Sequence, residues 1–180
     1  MKNILFLLIL FSTTAFAQVK LPTNEAGQVQ YQEIIRMPDA TRPARQVYNQ
    51  IRAWADEHYA TETEAEQQRD DAHGILFVRS FYPIGKRNVR YTLTVEARIG
   101  RYRATITDLV AEDDGITSPV RPSSSTVDDL KRAANGEAKS EQVLEQIATD
   151  QAELYQEIEK ACRATLASLK EALTAPAAKK

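Results

Sequence analysis

What this chain has little of excludes more than what it has. Cys162 is the single cysteine in 180 residues, so no intramolecular disulfide can form and stability must come from packing. Glycine is also thin, at 6. No glycine-rich loop opens a helix and no serine stands in a G-x-S-x-G elbow, so phosphate-cradling and acyl-transfer motifs lose their entry points. The two histidines, His58 and His73, sit in no metal-ligand spacing such as H-E-x-x-H. Neither sign of charge dominates: the formal net charge is -2, which offers no general attraction to a polyanion. The one sustained apolar run, residues 4–11, falls well short of the roughly 20 residues a membrane-spanning helix needs.

That run fits an export signal instead. Lys2 supplies the positive start, residues 4–11 the apolar stretch, and Ala15-Phe16-Ala17 the small-residue cleavage site. The expectation is a signal peptide over residues 1–17, cleaved near Ala17, and a periplasmic or secreted product with no transmembrane segment. No cysteine follows the run to carry a lipid anchor. The composition, 43% hydrophobic and 27% charged, suits one globular core with a helical extension.

Periodicity then assigns elements. Val29, Tyr31, Ile35 and Met37 alternate with Gln30, Gln32, Ile34 and Arg36, the period of a half-buried strand. Pro38 ends it. Thr41 or Asp39 is placed to cap a helix whose first turn holds Pro43 and whose stripe is Val47, Tyr48, Ile51, Trp54, Ala55 and Tyr59. The acidic residues 61–71 read as a loop or weak edge strand. ILFVRSFY, residues 75–82, is apolar on both parities and reads as a strand interior to a sheet.

In RYTLTVEARIGRYRATITDL, residues 90–109, the apolar parity flips between Ala97 and Tyr102, as a hairpin with an even loop requires. Ala97 should face Tyr102, Val95 Ala104, and Leu93 Ile106. The other face then pairs Glu96 with Arg103, Thr94 with Thr105, and Thr92 with Thr107. Ile99 is a poor first residue for a tight primed turn, which favours a four-residue loop over a two-residue one. Residues 115–126, rich in proline and serine, read as a linker. A short helix ends at Asn135-Gly136 and a long amphipathic one follows, with Leu144, Ala148, Tyr155, Ile158, Cys162, Leu166, Leu169 and Leu173 as its stripe. Cys162 on that stripe reads as a buried small hydrophobe. The expected division is 1–17 signal, 18–114 α+β domain, 115–126 linker, 127–173 helical region and 174–180 tail.

The order strand, helix, meander resembles an exported bacterial family of unknown function with a TBP-like fold, domain of unknown function 4468. The likeness is carried by LPTNEAGQVQYQEIIRMPDATRPARQVYNQIRAWADEHY, by Gly74 with its apolar run, and by the VRYTLTVEARIGRYRATITDL hairpin, over residues 21–114. The resemblance implies an α+β fold: a TBP-like curved antiparallel sheet with helices packed on one face, here with a long C-terminal amphipathic helix added. It implies no activity and no catalytic residues.

Two functional readings follow. Residues 79–103 carry seven bases (Arg79, Lys86, Arg87, Arg90, Arg98, Arg101, Arg103) against Glu96, whereas residues 56–71 carry seven acids against Arg69. Such blocks can simply neighbour each other and keep a surface wet. The sharper reading is a non-enzymatic binding module. It uses Arg90, Arg98, Arg101 and Arg103 on the outer sheet face, or the C-terminal helix, to meet an envelope protein, lipid headgroup or polysaccharide. Nucleic acid is not expected, because that face shows threonine and mixed charge without stacking aromatics. The alternative is a metal-assisted hydrolase using Asp70, Asp71 and His73, although loop chemistry before Gly74 explains the same residues. Asp113-Asp114-Gly115 reads as a turn, since the D-x-D-x-D-G calcium pattern is not completed. No cofactor is expected.

Overall fold

The computed structural model describes residues 18–134 and 140–175. The expected signal peptide, the Asn135-Gly136 stop and the tail beyond Ala175 lie outside them. In chain order the elements are β1 (Tyr31–Arg36), α1 (Ala44–His58), β2 (Glu66–Asp70), β3 (Ile75–Ile84), β4 (Arg87–Arg98), β5 (Arg101–Asp113), β6 (Ile116–Pro119), α2 (Val127–Ala133) and α3 (Glu141–Thr174). One antiparallel sheet runs β1-β5-β4-β3-β2, and β6 pairs with β5.

Alternation along the strands separates two faces. The inner face buries Leu76 and Val78 from β3, Val89, Leu93, Val95 and Ala97 from β4, and Tyr102, Ala104 and Ile106 from β5. α1 lays Val47, Tyr48, Ile51, Trp54 and Ala55 on it. Each fully buried aliphatic side chain contributes about 1.5 to 3 kcal/mol of transfer free energy. The hairpin register is as the parity requires: Ala97 opposite Tyr102, Val95 opposite Ala104, Leu93 opposite Ile106, and Glu96, Thr94 and Thr92 opposite Arg103, Thr105 and Thr107.

Four expectations need correction. The β4–β5 loop has two residues, Ile99 and Gly100, since Arg98 already pairs with Arg101. Positive φ falls on Gly100, at 63°, and Ile99 escapes it. The turn is set from outside the hairpin: the Met37 N–H donates to the Gly100 carbonyl at 2.8 Å, and the Gly100 N–H donates to the Arg42 carbonyl at 2.9 Å. Second, α1 begins at an N-cap of Pro43 with no side-chain cap. Asp39 instead accepts from the Thr41 backbone N–H (2.9 Å) and hydroxyl (2.7 Å) in a turn before the helix.

Third, residues 115–126 are not a spacer. Asp114 and Gly115 both take positive φ, 48° and 80°, the requirement of a two-residue primed turn, and this turn folds β6 back onto β5. Beyond it Ser124 is buried, its backbone N–H donating to the Val19 carbonyl and its hydroxyl accepting from the Val19 N–H. Fourth, α3 does not form a separate helical region. Its stripe, including Leu144, Tyr155, Ile158, Cys162, Leu166, Leu169 and Leu173, is buried, and the part from Tyr155 to Leu173 joins the same core as the sheet and α1. Trp54 is buried as expected, and its indole N–H donates to the Ser168 hydroxyl of α3 at 3.1 Å, so it also ties the two helices. His58 stacks on Trp54 with ring centroids 4.7 Å apart.

Candidate functional site

With α1 and α3 both on the inner side, the outer face of the sheet has no covering element among the described residues. Strand registers arrange it in rows. One row is Arg36 of β1, Arg101 of β5 and Arg98 of β4. The next is Ile34, Arg103, Glu96, Ile75 and Asp70. The next is Gln32, Thr105, Thr94, Phe77 and Gln68. Facing Cβ atoms on neighbouring antiparallel strands lie about 4.5 to 5.5 Å apart, and like charges placed so are destabilising.

Three arginines in register therefore call for anions. Glu96, with a side chain only 12% exposed, pairs with both Arg98 and Arg103. One carboxylate is shared by two guanidiniums. Among the described residues, Arg36 and Arg101 have no carboxylate partner. Ile34, Glu96, Arg98, Arg101, Tyr102 and Arg103 line a hollow of about 250 Å³, with three cations against a single acid.

The structure thus brings together Arg98, Arg101 and Arg103 of the four arginines singled out from sequence. Arg90 lies apart. It is four rows from Arg98 along β4, paired with Glu112 at 2.9 Å, beside a β-bulge where β5 gains a residue and Asp108 takes a φ of 55°. Arg36 and Ile34 were missed. Their parity on β1 was visible, but the pairing of β1 with β5 is long-range and no local signal announces it. The acidic and basic blocks meet in part, with Glu66 opposite Arg79 across β2 and β3, whereas Arg69 pairs within the acidic block, with Asp56. The expectation of a face without aromatics is also corrected: Phe77 and Phe81 stand half-buried on the outer face, opposite Thr94 and Arg90. ILFVRSFY is apolar on both parities because it contributes to both faces.

Asp70, Asp71 and His73 do not assemble as a metal site. Asp70 accepts from the His73 backbone N–H at 3.1 Å and meets its Nδ1 at 2.8 Å. These hydrogen bonds, the backbone one first, hold the Asp70 carboxyl below the usual carboxylate range. Asp71 turns away to accept from the Tyr48 hydroxyl at 2.8 Å, near Arg52 at 3.6 Å. The three residues close the β2–β3 turn, and no group of three His, Cys, Asp or Glu among the described residues could hold a metal ion.

Under the sheet, polar side chains knit the core. The Tyr59 and Tyr91 hydroxyls are 3.0 Å apart, Tyr82 stacks on Tyr91 at 4.2 Å, and the Tyr82 hydroxyl lies 3.0 Å from that of Thr165. Burial pushes all three phenols up, so they stay neutral hydrogen-bonding groups. Among the described residues no helix is long and apolar enough to cross a membrane.

Comparison with known proteins agrees with this architecture. Two solved structures share the fold. A DUF4468 family protein from Bacteroides ovatus ATCC 8483 is 12% identical, with a TM-score of 0.61 over 89% of this chain and 94% of that one. A TBP-like protein from Parabacteroides distasonis ATCC 8503 is 16% identical, with a TM-score of 0.53 over 83% of this chain and 96% of that one. Coverage of 89% takes in part of the 34-residue helix α3, so that helix belongs to the shared fold. No curated protein matches the chain. Residues 31–112, from the first strand to the end of the meander, match the model for "Domain of unknown function (DUF4468) with TBP-like fold", and over that stretch the chain is similar to this family.

Proposed function

We propose that the protein is an exported, non-enzymatic binding module whose partner-facing surface is the outer face of the sheet, and that its partner is anionic. The arginine row carries the reading. Arg36, Arg101 and Arg98 stand directly opposite one another, a destabilising arrangement of like charges that Glu96 offsets only at Arg98, and an anion laid across them would turn it into attraction. The long helix is the weaker candidate, because its apolar stripe is already buried in the core. Export rests on the signal-like residues 1–17.

Retention on an immobilised sulfated polysaccharide tests the reading. Wild type should be held at low salt and released as salt rises, and the Arg101→Ser/Arg103→Ser double variant should elute earlier. A Lys160→Ser/Arg163→Ser control removes the same charge from exposed positions on α3 and should elute with wild type. If the two double variants elute together, the row has no special part in binding.

A further inference from the structure

The same end of the sheet presents an apolar tip that no reading based on charge accounts for. Ile99, at the apex of the β4–β5 turn, is 68% exposed, and Ile34 is 59% exposed. The positive φ of this turn falls on Gly100, so the backbone tolerates isoleucine at Ile99, but a side chain of that kind held in water at a turn apex opposes solvation. The tip is also held still. Its neighbour Gly100 is bonded on both sides to the β1–α1 connection, through the Met37 N–H and the Arg42 carbonyl. Arg98 and Arg101 flank Ile99 in sequence, and Arg103 pairs with Ile34 across the strands. Aliphatic side chains ringed by guanidiniums on a rigid mount match a lipid interface, where apolar groups enter the acyl boundary and cations meet phosphates. A polysaccharide would engage the arginines and leave both isoleucines in water.

We infer that this end of the sheet docks on an anionic lipid surface, with Ile99 and Ile34 entering the interface while Arg36, Arg98 and Arg101 pair with headgroup phosphates. The inference rests on the anion-binding reading above. Flotation with vesicles of phosphatidylcholine alone, or mixed with phosphatidylglycerol, tests it. Wild type should float with the mixed vesicles and stay behind with the neutral ones. Ile99→Ser should lower affinity for mixed vesicles about tenfold, the scale of losing one partly buried aliphatic side chain. It should leave retention on the sulfated polysaccharide and the urea midpoint unchanged, because Ile99 is exposed. Polysaccharide retention without flotation overturns the lipid inference and leaves the binding module standing. Flotation of Ile99→Ser equal to wild type also overturns it. Failure of wild type in both assays removes both readings.

Discussion

Gly100 shows how a single residue can fix a surface. Its φ of 63° is costly for any side chain, by roughly 1 to 2 kcal/mol, and space is lacking as well: an added Cβ would come within 2.6 Å of the Ala40 carbonyl carbon. Gly85 has a similar φ of 60° with nothing within 4 Å, so it separates the two costs. Gly100→Ala should lose about 2 kcal/mol or more in urea melts, against about 1 kcal/mol for Gly85→Ala; equal losses would mean that the turn is not clamped. At this scale the sequence was legible wherever the physics was local. Parity alone placed Ala97 opposite Tyr102 and Glu96 opposite Arg103. The loop length was misjudged because the turn's geometry is imposed by Met37 and Arg42, far away in the chain.

Among the elements, α3 and β6 differ most from the sequence reading. The period of α3 was plain, but periodicity says that a stripe is buried and not against what. β6 was hidden by its own composition, four exposed residues in a proline- and serine-rich stretch, although Asp114-Gly115 is the signature of a tight hairpin turn. Cys162 reports on how α3 is docked. It is fully buried, and burial pushes its thiol up to about 12, so near neutral pH the reactive thiolate is scarce and the sulfur is shielded. A thiol reagent should label Cys162 in native protein no faster than the whole chain unfolds. Labelling ahead of global unfolding would show α3 leaving by itself, as a separate cooperative unit.

For the molecule as a whole, the response to acid should come in two stages. Desolvation against Trp54 is the largest influence on His58 and lowers its pKa, opposed by the Glu62 charge. The folded state therefore prefers neutral imidazole. This makes stability complete above the unfolded value of about 6.5 and progressively lost as pH falls from there to the lower folded value. Asp39, Asp70 and Asp129 are lowered by hydrogen bonds, so their contribution is present above the ordinary carboxylate range and disappears below it. Urea midpoints should decline from neutrality to mildly acidic pH, then again in strong acid, and His58→Gln should flatten the first decline alone. An unchanged first decline in that variant would place its origin elsewhere. Sequence could supply the uneven charge that underlies the candidate surface, but only the assembled sheet sets Arg36 beside Arg101, because β1 and β5 are distant in the chain.

That distance has a thermodynamic consequence. β1 is an edge strand, and the arginine row is whole only while β1 stays paired with β5. When the edge opens, Arg36 leaves with it and the mutual repulsion relaxes, so in the empty protein the row favours opening. An anion spanning the three side chains, as proposed above, would bind the closed edge and not the open one, stabilising closure by RT ln(1 + [L]/Kd). Occupancy would then work as a latch on the first strand: the domain would be least firmly closed when empty and would tighten as it is filled.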